Sequence, residues 1–174
     1  MADFGVIYGN GANGWVDAVL ESFINEAVSL EMNVSRLYAL FQDYFPEDGE
    51  LWQTLSIEEE NHALLLRLAR KHFVSAGIFP REILPESVDS LKEMNRELER
   101  LIEAFELEPP ERVEAFRLAV TIEESAGEIH LQRAMAAAQG SEAIRILQTL
   151  NNDDRDHADR LRRYMEERGI GGAP

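Results

Sequence analysis

The stretch EEENHALLL (58–66) sets a histidine behind three acids and ahead of a run of leucines. Ninety-five residues on, DDRDHADRL (153–161) repeats the arrangement. In each, an acid precedes the histidine by three residues, Glu59 before His62 and Asp154 before His157, and Ala follows the histidine. Residues three apart on a helix point the same way. Glu59 falls four after Leu55, and His62 four before Leu66, so this pair shares the leucine face. Asp154 and His157 fit between Leu147, Leu150 and Leu161. One acid-x-x-His pair is most simply a solvated surface pair. Two copies set among leucines put charge on a face that wants to be buried.

Working outward from these pairs, apolar residues recur at three and four, and strand signals are almost absent. The spacing predicts a helix from about Trp15 to Phe45, with Leu20, Ile24, Ala27, Val34, Tyr38 and Phe41 on one stripe. FPEDGE (45–50) reads as a tight turn. A second helix is expected over about Gly49 to Ser75, with Leu51, Leu55, Leu66, Ala69 and Phe73 inward. Gly77, Pro80 and Pro85 mark a linker. A shorter amphipathic helix is expected at about 87–106, with Val88, Leu91, Leu98, Leu101 and Phe105 inward, broken by EPP (108–110). A third long helix spans about Glu111 to Ala138, QGS (139–141) turns with Ser141 as N-cap, and a fourth runs to about Arg168, ended by Gly169. Short loops make antiparallel neighbours, so the four long helices form two hairpins. A long connection between the hairpins is the ferritin-like variant of the antiparallel four-helix bundle. The expected fold is therefore all-α, one domain over 1–174, with residues 1–14 as a flexible N-terminal arm.

The preceding helix of each hairpin also carries an acid on its stripe. Glu31 is four after Ala27 and three before Val34; Glu123 is three after Val120. Glu31 and Glu59 are centred on Phe45, 14 residues from it on either side, and Glu123 and Asp154 are centred on the second turn, between Ala138 and Gln139. Equal distance from a tight turn means equal height, roughly 20 Å at 1.5 Å per residue. Four carboxylates and two imidazoles thus fall on one layer of the bundle. Unpaired, such a layer would be severely destabilising. Two divalent or trivalent cations would neutralise it, and an oxygen-rich donor set with one imidazole per metal suits iron or manganese, with zinc a further occupant of a purified sample. The candidate ligands are Glu31, Glu59, His62, Glu123, Asp154 and His157. NNDD (151–154), a run of weak helix formers mid-helix, is a second sign that function overrides propensity there.

The composition narrows the chemistry. Against 17 Lys plus Arg stand 33 acids, a net charge of −16. A polyanion is repelled by nucleic acid and anionic lipid, so neither is expected as a partner. The absence of cysteine removes disulfides, thiolate zinc sites and iron–sulfur clusters from these residues, and fits a reducing cytoplasm. No basic region or long apolar run opens the chain, so neither a signal peptide nor a membrane span is expected. GNGANG (9–14) matches G-x-G-x-x-G, but no second strand follows, so it reads as a glycine-rich arm rather than a dinucleotide loop.

The two acid-x-x-His pairs, with a Glu on each preceding helix, resemble the rubrerythrin branch of the ferritin-like di-iron proteins. SLEMNVSRLY (29–38) is similar to that family's first helix, in which a ligand Glu precedes a Tyr by seven residues, here Glu31 and Tyr38. IEESAGEIHL (122–131) is similar to its third helix, with Glu123 in the ligand place. The resemblance covers about 15–75 and 111–168. It implies a di-iron oxidoreductase reducing hydrogen peroxide or dioxygen, with Tyr38 as a catalytic hydrogen-bond donor or radical quencher. It implies Glu59 and Asp154 as bridges, an external electron donor of rubredoxin-like type, and a homodimer, for which Trp15, Phe23, Tyr44 and Trp52 are candidate contact residues. A non-turnover iron-storage or metal-handling protein is the competing reading. The chain departs from the family in three places. Asp154 is one methylene shorter than the usual Glu, His130 stands where Tyr is common, and Ala126 stands where an extra Glu is found; no rubredoxin domain accompanies the bundle. Glu124 and Glu128 compete with Glu123, Glu26 is a weaker rival to Glu31, and Glu58, Glu60 and the charges of 160–168 read as solvated faces.

Overall fold

The structure is a computed structural model that describes residues 10–74, 87–136 and 142–171. Among them there is no strand. Five helices follow in order: α1 (Asn10–Tyr44), α2 (Gly49–Ala69), α3 (Asp89–Leu107), α4 (Arg112–Ala136) and α5 (Glu142–Arg168). The all-α class is as the periodicity requires. None of these helices is long and apolar enough to cross a membrane.

α1 and α2 pack against one another along their lengths, as do α4 and α5. Between α1 and α2 the chain reverses in one 3-10 turn, Pro46–Asp48. Proline suits the first position because its missing N–H would be unpaired there in any case. From α1, Leu20, Phe23, Ile24, Ala27, Leu30, Val34, Leu37, Tyr38 and Phe41 are buried, and they meet Trp52, Leu55 and Leu66 from α2. At the far end α2 widens into one π turn, Arg70–Val74.

α3 lies on α1 and runs parallel to it. Asn95 near its start donates to Glu26, and Asn33 donates to Asn95 (3.1 Å); further along, Tyr44 Oη donates to the Phe105 carbonyl (2.9 Å). This surface helix therefore carries the chain back to the α1–α2 turn, where Pro109 and Pro110 end it and α4 begins. Arg112, at the start of α4, forks onto buried Asp48 with two 2.6 Å bonds, and Tyr164 near the end of α5 donates to the same carboxylate (2.9 Å). The clasp fixes the start of α4 and the end of α5 against the first turn. It thereby sets the height of one hairpin against the other. A ring from each of four helices fills the space beside it: Phe41–Trp52 at 5.1 Å, Trp52–Phe116 at 4.6 Å and Phe116–Tyr164 at 5.7 Å between centroids. α5 ends as the glycine signal requires: Gly169 has φ of 65°, and Ile170 N–H reaches back to the Met165 carbonyl at 2.8 Å.

Several expectations are corrected. Residues 10–14, assigned to a flexible arm, are the first turn of α1; adding a residue to an existing helix is far easier than nucleating one, so weak helix formers are carried along. Residues 1–9 lie outside the described residues, as do the linker at Gly77, Pro80 and Pro85 and the QGS turn with its Ser141 cap. α2 ends as an α-helix at Ala69 rather than Ser75. Phe23 and Trp52, offered as dimer contacts, are 2% and 0% exposed and belong to the core of one chain. Tyr44 is half-buried under α3, and the Trp15 side chain lies outside the described ones. On α3 the buried position is Ile102, with Leu101 and Phe105 only half-buried, because its stripe follows Leu91, Asn95, Leu98 and Ile102 at strict three-to-four spacing.

Candidate metal centre

Five of the six proposed ligands converge. Glu31 comes from α1, Glu59 and His62 from α2, Glu123 from α4 and His157 from α5, and each is at most 4% exposed. They form two buried triads, Glu31–Glu59–His62 and Glu59–Glu123–His157, whose candidate ligand atoms lie within 4.8 Å of one another. Glu59 belongs to both. Its Oε2 is 3.1 Å from His62 Nδ1 and its Oε1 is 2.8 Å from His157 Nδ1. Glu31 Oε2 lies 3.8 Å from His62 Nδ1, and Glu123 Oε2 lies 3.5 Å from His157 Nδ1. The two imidazoles are nearly parallel, 5.4 Å apart and 11° between planes. Both present Nδ1 to the carboxylates.

The outward nitrogens have partners of their own. His157 Nε2 faces Glu58 Oε2 at 3.2 Å, and His62 Nε2 faces Asp153 Oδ2 at 3.6 Å. Arg160 in turn binds Glu58 through two guanidinium nitrogens. The partners are exchanged between helices: α2 supplies the carboxylate behind the α5 histidine, and α5 the one behind the α2 histidine. A carboxylate behind a ligating histidine fixes its tautomer and raises its basicity. Sequence reasoning placed Glu58 and Arg160 on solvated faces and gave Asp153 no role. Their one signal is adjacency to Glu59 and Asp154, which does not say which way a side chain leans.

The other calls divide. Tyr38, fully buried, donates its phenolic hydrogen to Glu123 Oε1. Glu124 is exposed and pairs with Arg162, which leaves Glu123 as the inward acid. Glu26 accepts from Asn95 at 2.9 Å, away from the triads. The side chains of Asp154, Ala126, Glu128 and His130 lie outside the described ones.

Burial and charge oppose one another here. Burial, reinforced by the charge of Glu123, pushes the Glu59 carboxyl up to about 7, against the histidine contacts that lower it. Burial alone would lower both imidazoles. The carboxylates outweigh it, Glu31 and Glu59 raising His62 to about 11, Glu123 and Glu59 raising His157 to about 10. Without a cation the layer is thus held together by its own imidazolium charges. The acids are not left uncompensated, as the sequence argument supposed.

The same donor atoms could hold a cation. Glu59 Oε1 and His157 Nδ1 are buried and make no hydrogen bond, although they are 2.8 Å apart. Electrostatic attraction needs only the distance, whereas a hydrogen bond also needs alignment, and alignment is what fails. Two donor atoms close together but not aimed at each other are disposed as ligands of a common ion. Carboxylate oxygens with one imidazole per triad form a set that iron, manganese or zinc accepts. No family model, curated protein or solved structure matches this chain.

Proposed function

We propose that the chain is a ferritin-like dinuclear protein of rubrerythrin type, which binds two iron ions and reduces hydrogen peroxide or dioxygen. The observation that carries the reading is the sharing of Glu59: one buried carboxylate gives one oxygen to each of two Glu/His triads. A structural ion pair needs one acid per histidine. A bridging carboxylate needs this arrangement. The order of elements supports the fold assignment, since two antiparallel hairpins joined by a long crossover are the ferritin-like connectivity.

Two ferrous ions, when bound, supply the two electrons that convert one peroxide and two protons into two waters. The chain's own residues do the rest. Glu59 would hold both ions, with Asp154 assigned as a second shared acid; Glu31 and Glu123 would each hold one, and His62 and His157 would each bind one through Nδ1. Glu58 with Arg160, and Asp153, hold those rings in orientation. Tyr38 restrains Glu123 and, among the described residues, is the phenol bonded to the triads and able to give up a hydrogen atom. The aromatic layer of Phe41, Trp52 and Phe116 excludes water from the turn side. Electrons would come from a donor outside these residues.

The test is to load the protein anaerobically with ferrous iron, count metals, and add peroxide with and without a small-molecule reductant. Two irons per chain and many peroxides consumed per chain support the reading. One round of oxidation that the reductant does not renew indicates storage or metal handling instead.

A further inference from the structure

A row of rings links the buried triads to the surface. Tyr38, bonded to Glu123, lies 5.6 Å from Trp52, centroid to centroid; Trp52 lies 4.6 Å from Phe116, and Phe116 stacks on Tyr164 at 5.7 Å with 8° between planes. Each spacing is that of rings in contact. Tyr38, Trp52 and Phe116 are fully buried, and Tyr164 is half-buried on α5. Core packing alone does not account for two features of this row. Of the three phenols among the described side chains, Tyr38 and Tyr164 donate to carboxylates, those of Glu123 and Asp48, whereas Tyr44 donates to a backbone carbonyl. A carboxylate can keep the proton that an oxidised phenol sheds; a carbonyl cannot. The Trp52 Nε1–H, moreover, is buried with no acceptor among the described residues. A buried indole usually finds one, and leaving it without one is costly, a cost that Phe or Leu would avoid in the same core. What Trp adds is a ring that can be oxidised.

We propose that Tyr38, Trp52 and Tyr164 form a path along which an oxidising equivalent left in the buried layer passes out to the surface, where a small one-electron reductant of thiolate or ascorbate type ends it. The proposal rests on the dinuclear reading for the source of the oxidant. Each step moves one electron inward. Tyr38 gives an electron to the oxidant in the layer, and its phenolic proton shifts to Glu123. Trp52 refills Tyr38, whose proton returns from Glu123. The oxidised Trp52 has no base for its proton, so the charge does not settle there. Tyr164 refills Trp52 through the Phe116 ring packed between them, which is not itself oxidised, and the Tyr164 proton shifts to Asp48. The reductant then gives one electron to Tyr164, and the proton returns from Asp48. The net change is one electron from the reductant to the layer, with every ring and carboxylate restored. The path serves when peroxide arrives and no donor does: it draws the damage away from the buried acids and histidines to a phenol that dissolved reductants can reach.

The experiment has a metal-free arm and a loaded one, both on the full chain. In the first, 3-aminotyrosine replaces Tyr38 as an easily oxidised trap, and a ruthenium photo-oxidant is attached through Glu167→Cys, at an exposed position three residues from Tyr164 in a chain with no other cysteine. After a flash, the aminotyrosyl radical should appear at position 38 by electron paramagnetic resonance. Trp52→Phe and Tyr164→Phe should each lower its yield at least tenfold. In the second arm, chain loaded with ferrous iron meets peroxide with a spin trap and no reductant, and peptide mass mapping locates the adduct. It should lie on Tyr164, fall at least tenfold in Trp52→Phe, and vanish when ascorbate is added. Should Trp52→Phe fail to fold, Tyr164→Phe, which keeps the ring packing, still decides the first arm. An aminotyrosyl yield that survives both substitutions overturns the path, as does a Tyr164 adduct that survives Trp52→Phe. Either result with two irons bound leaves the dinuclear reading standing. A chain that metal analysis shows to bind no iron overturns that reading, and the path falls with its source of oxidant.

Discussion

Loading the site with metal should expel protons, and the number follows from the geometry. A cation needs neutral imidazoles and an ionised Glu59. Before loading, His62 stays protonated to about 11 and His157 to about 10, and Glu59 holds its proton to about 7. At pH 6 all three must leave; at pH 8 Glu59 is already ionised and two leave. The overall two-metal binding constant should therefore climb about a thousandfold from pH 6 to 7 and about a hundredfold from 7 to 8, roughly 10⁵ in total by proton linkage. Stability moves the opposite way in the metal-free protein. Each of these groups has a folded value above its unfolded one, so the folded chain binds more protons. The Glu59 contribution is lost between pH 4.5 and about 7, and those of the histidines from 6.5 to about 10 and 11. The gap in melting temperature between loaded and stripped protein should widen as pH rises. Calorimetric titration with Mn²⁺ in two buffers of different ionisation enthalpy counts the protons. About three per chain at pH 6 and about two at pH 8 are expected. Near zero at both would mean neutral imidazoles before loading and would refute the ion-paired layer.

Substitutions should separate the roles. Glu59→Ala should lose both metals together, since it leaves two cations unshielded at short range, whereas His157→Ala should keep at least one, water filling the gap; metal analysis of the purified variants reads this directly. Asp154→Glu should preserve two metals, and Asp154→Ala should not. Tyr38→Phe should keep both metals, destabilise the fold by about 1.5–3 kcal/mol through loss of a bond to a charged group, and lower peroxide turnover; retained turnover would remove Tyr38 from the mechanism. Arg112→Ala strips the fork from buried Asp48 and should cost about 3–5 kcal/mol, a fall of roughly 6–20 °C in melting temperature for a chain of this size, read by calorimetry.

α1, α2 and α5 were legible as apolar stripes, whereas α4, whose apolar residues are spread around the helix, was legible from the prolines before it and the QGS turn after it. The layer of buried acids and histidines was legible because the first turn is tight. With Glu31 and Glu59 equally far from Phe45, helical rise alone sets them level, and the structure brings them together. What periodicity cannot report is a neighbour on another helix. Glu58 differs from Glu59 by one residue, about 100° around the helix, and that rotation turns it from the triads towards His157 Nε2 and Arg160. Asp48 reads as a turn residue, yet it is 1% exposed and anchors α4 and α5. No local pattern links positions 48, 112 and 164. Phe23 and Trp52 were offered as dimer contacts because aromatic composition does not reveal exposure, and both lie in the core.

The central claim is that Glu59 is a bridge between two cations. Anomalous diffraction at the iron edge, on crystals of the chain loaded with two equivalents of ferrous iron, tests it most directly. The account predicts two peaks per chain about 3.5–4 Å apart, as in other dinuclear sites, flanking the Glu59 carboxylate, with His62 and His157 each on one of them through Nδ1. A single peak, or two peaks that do not share Glu59, would contradict it.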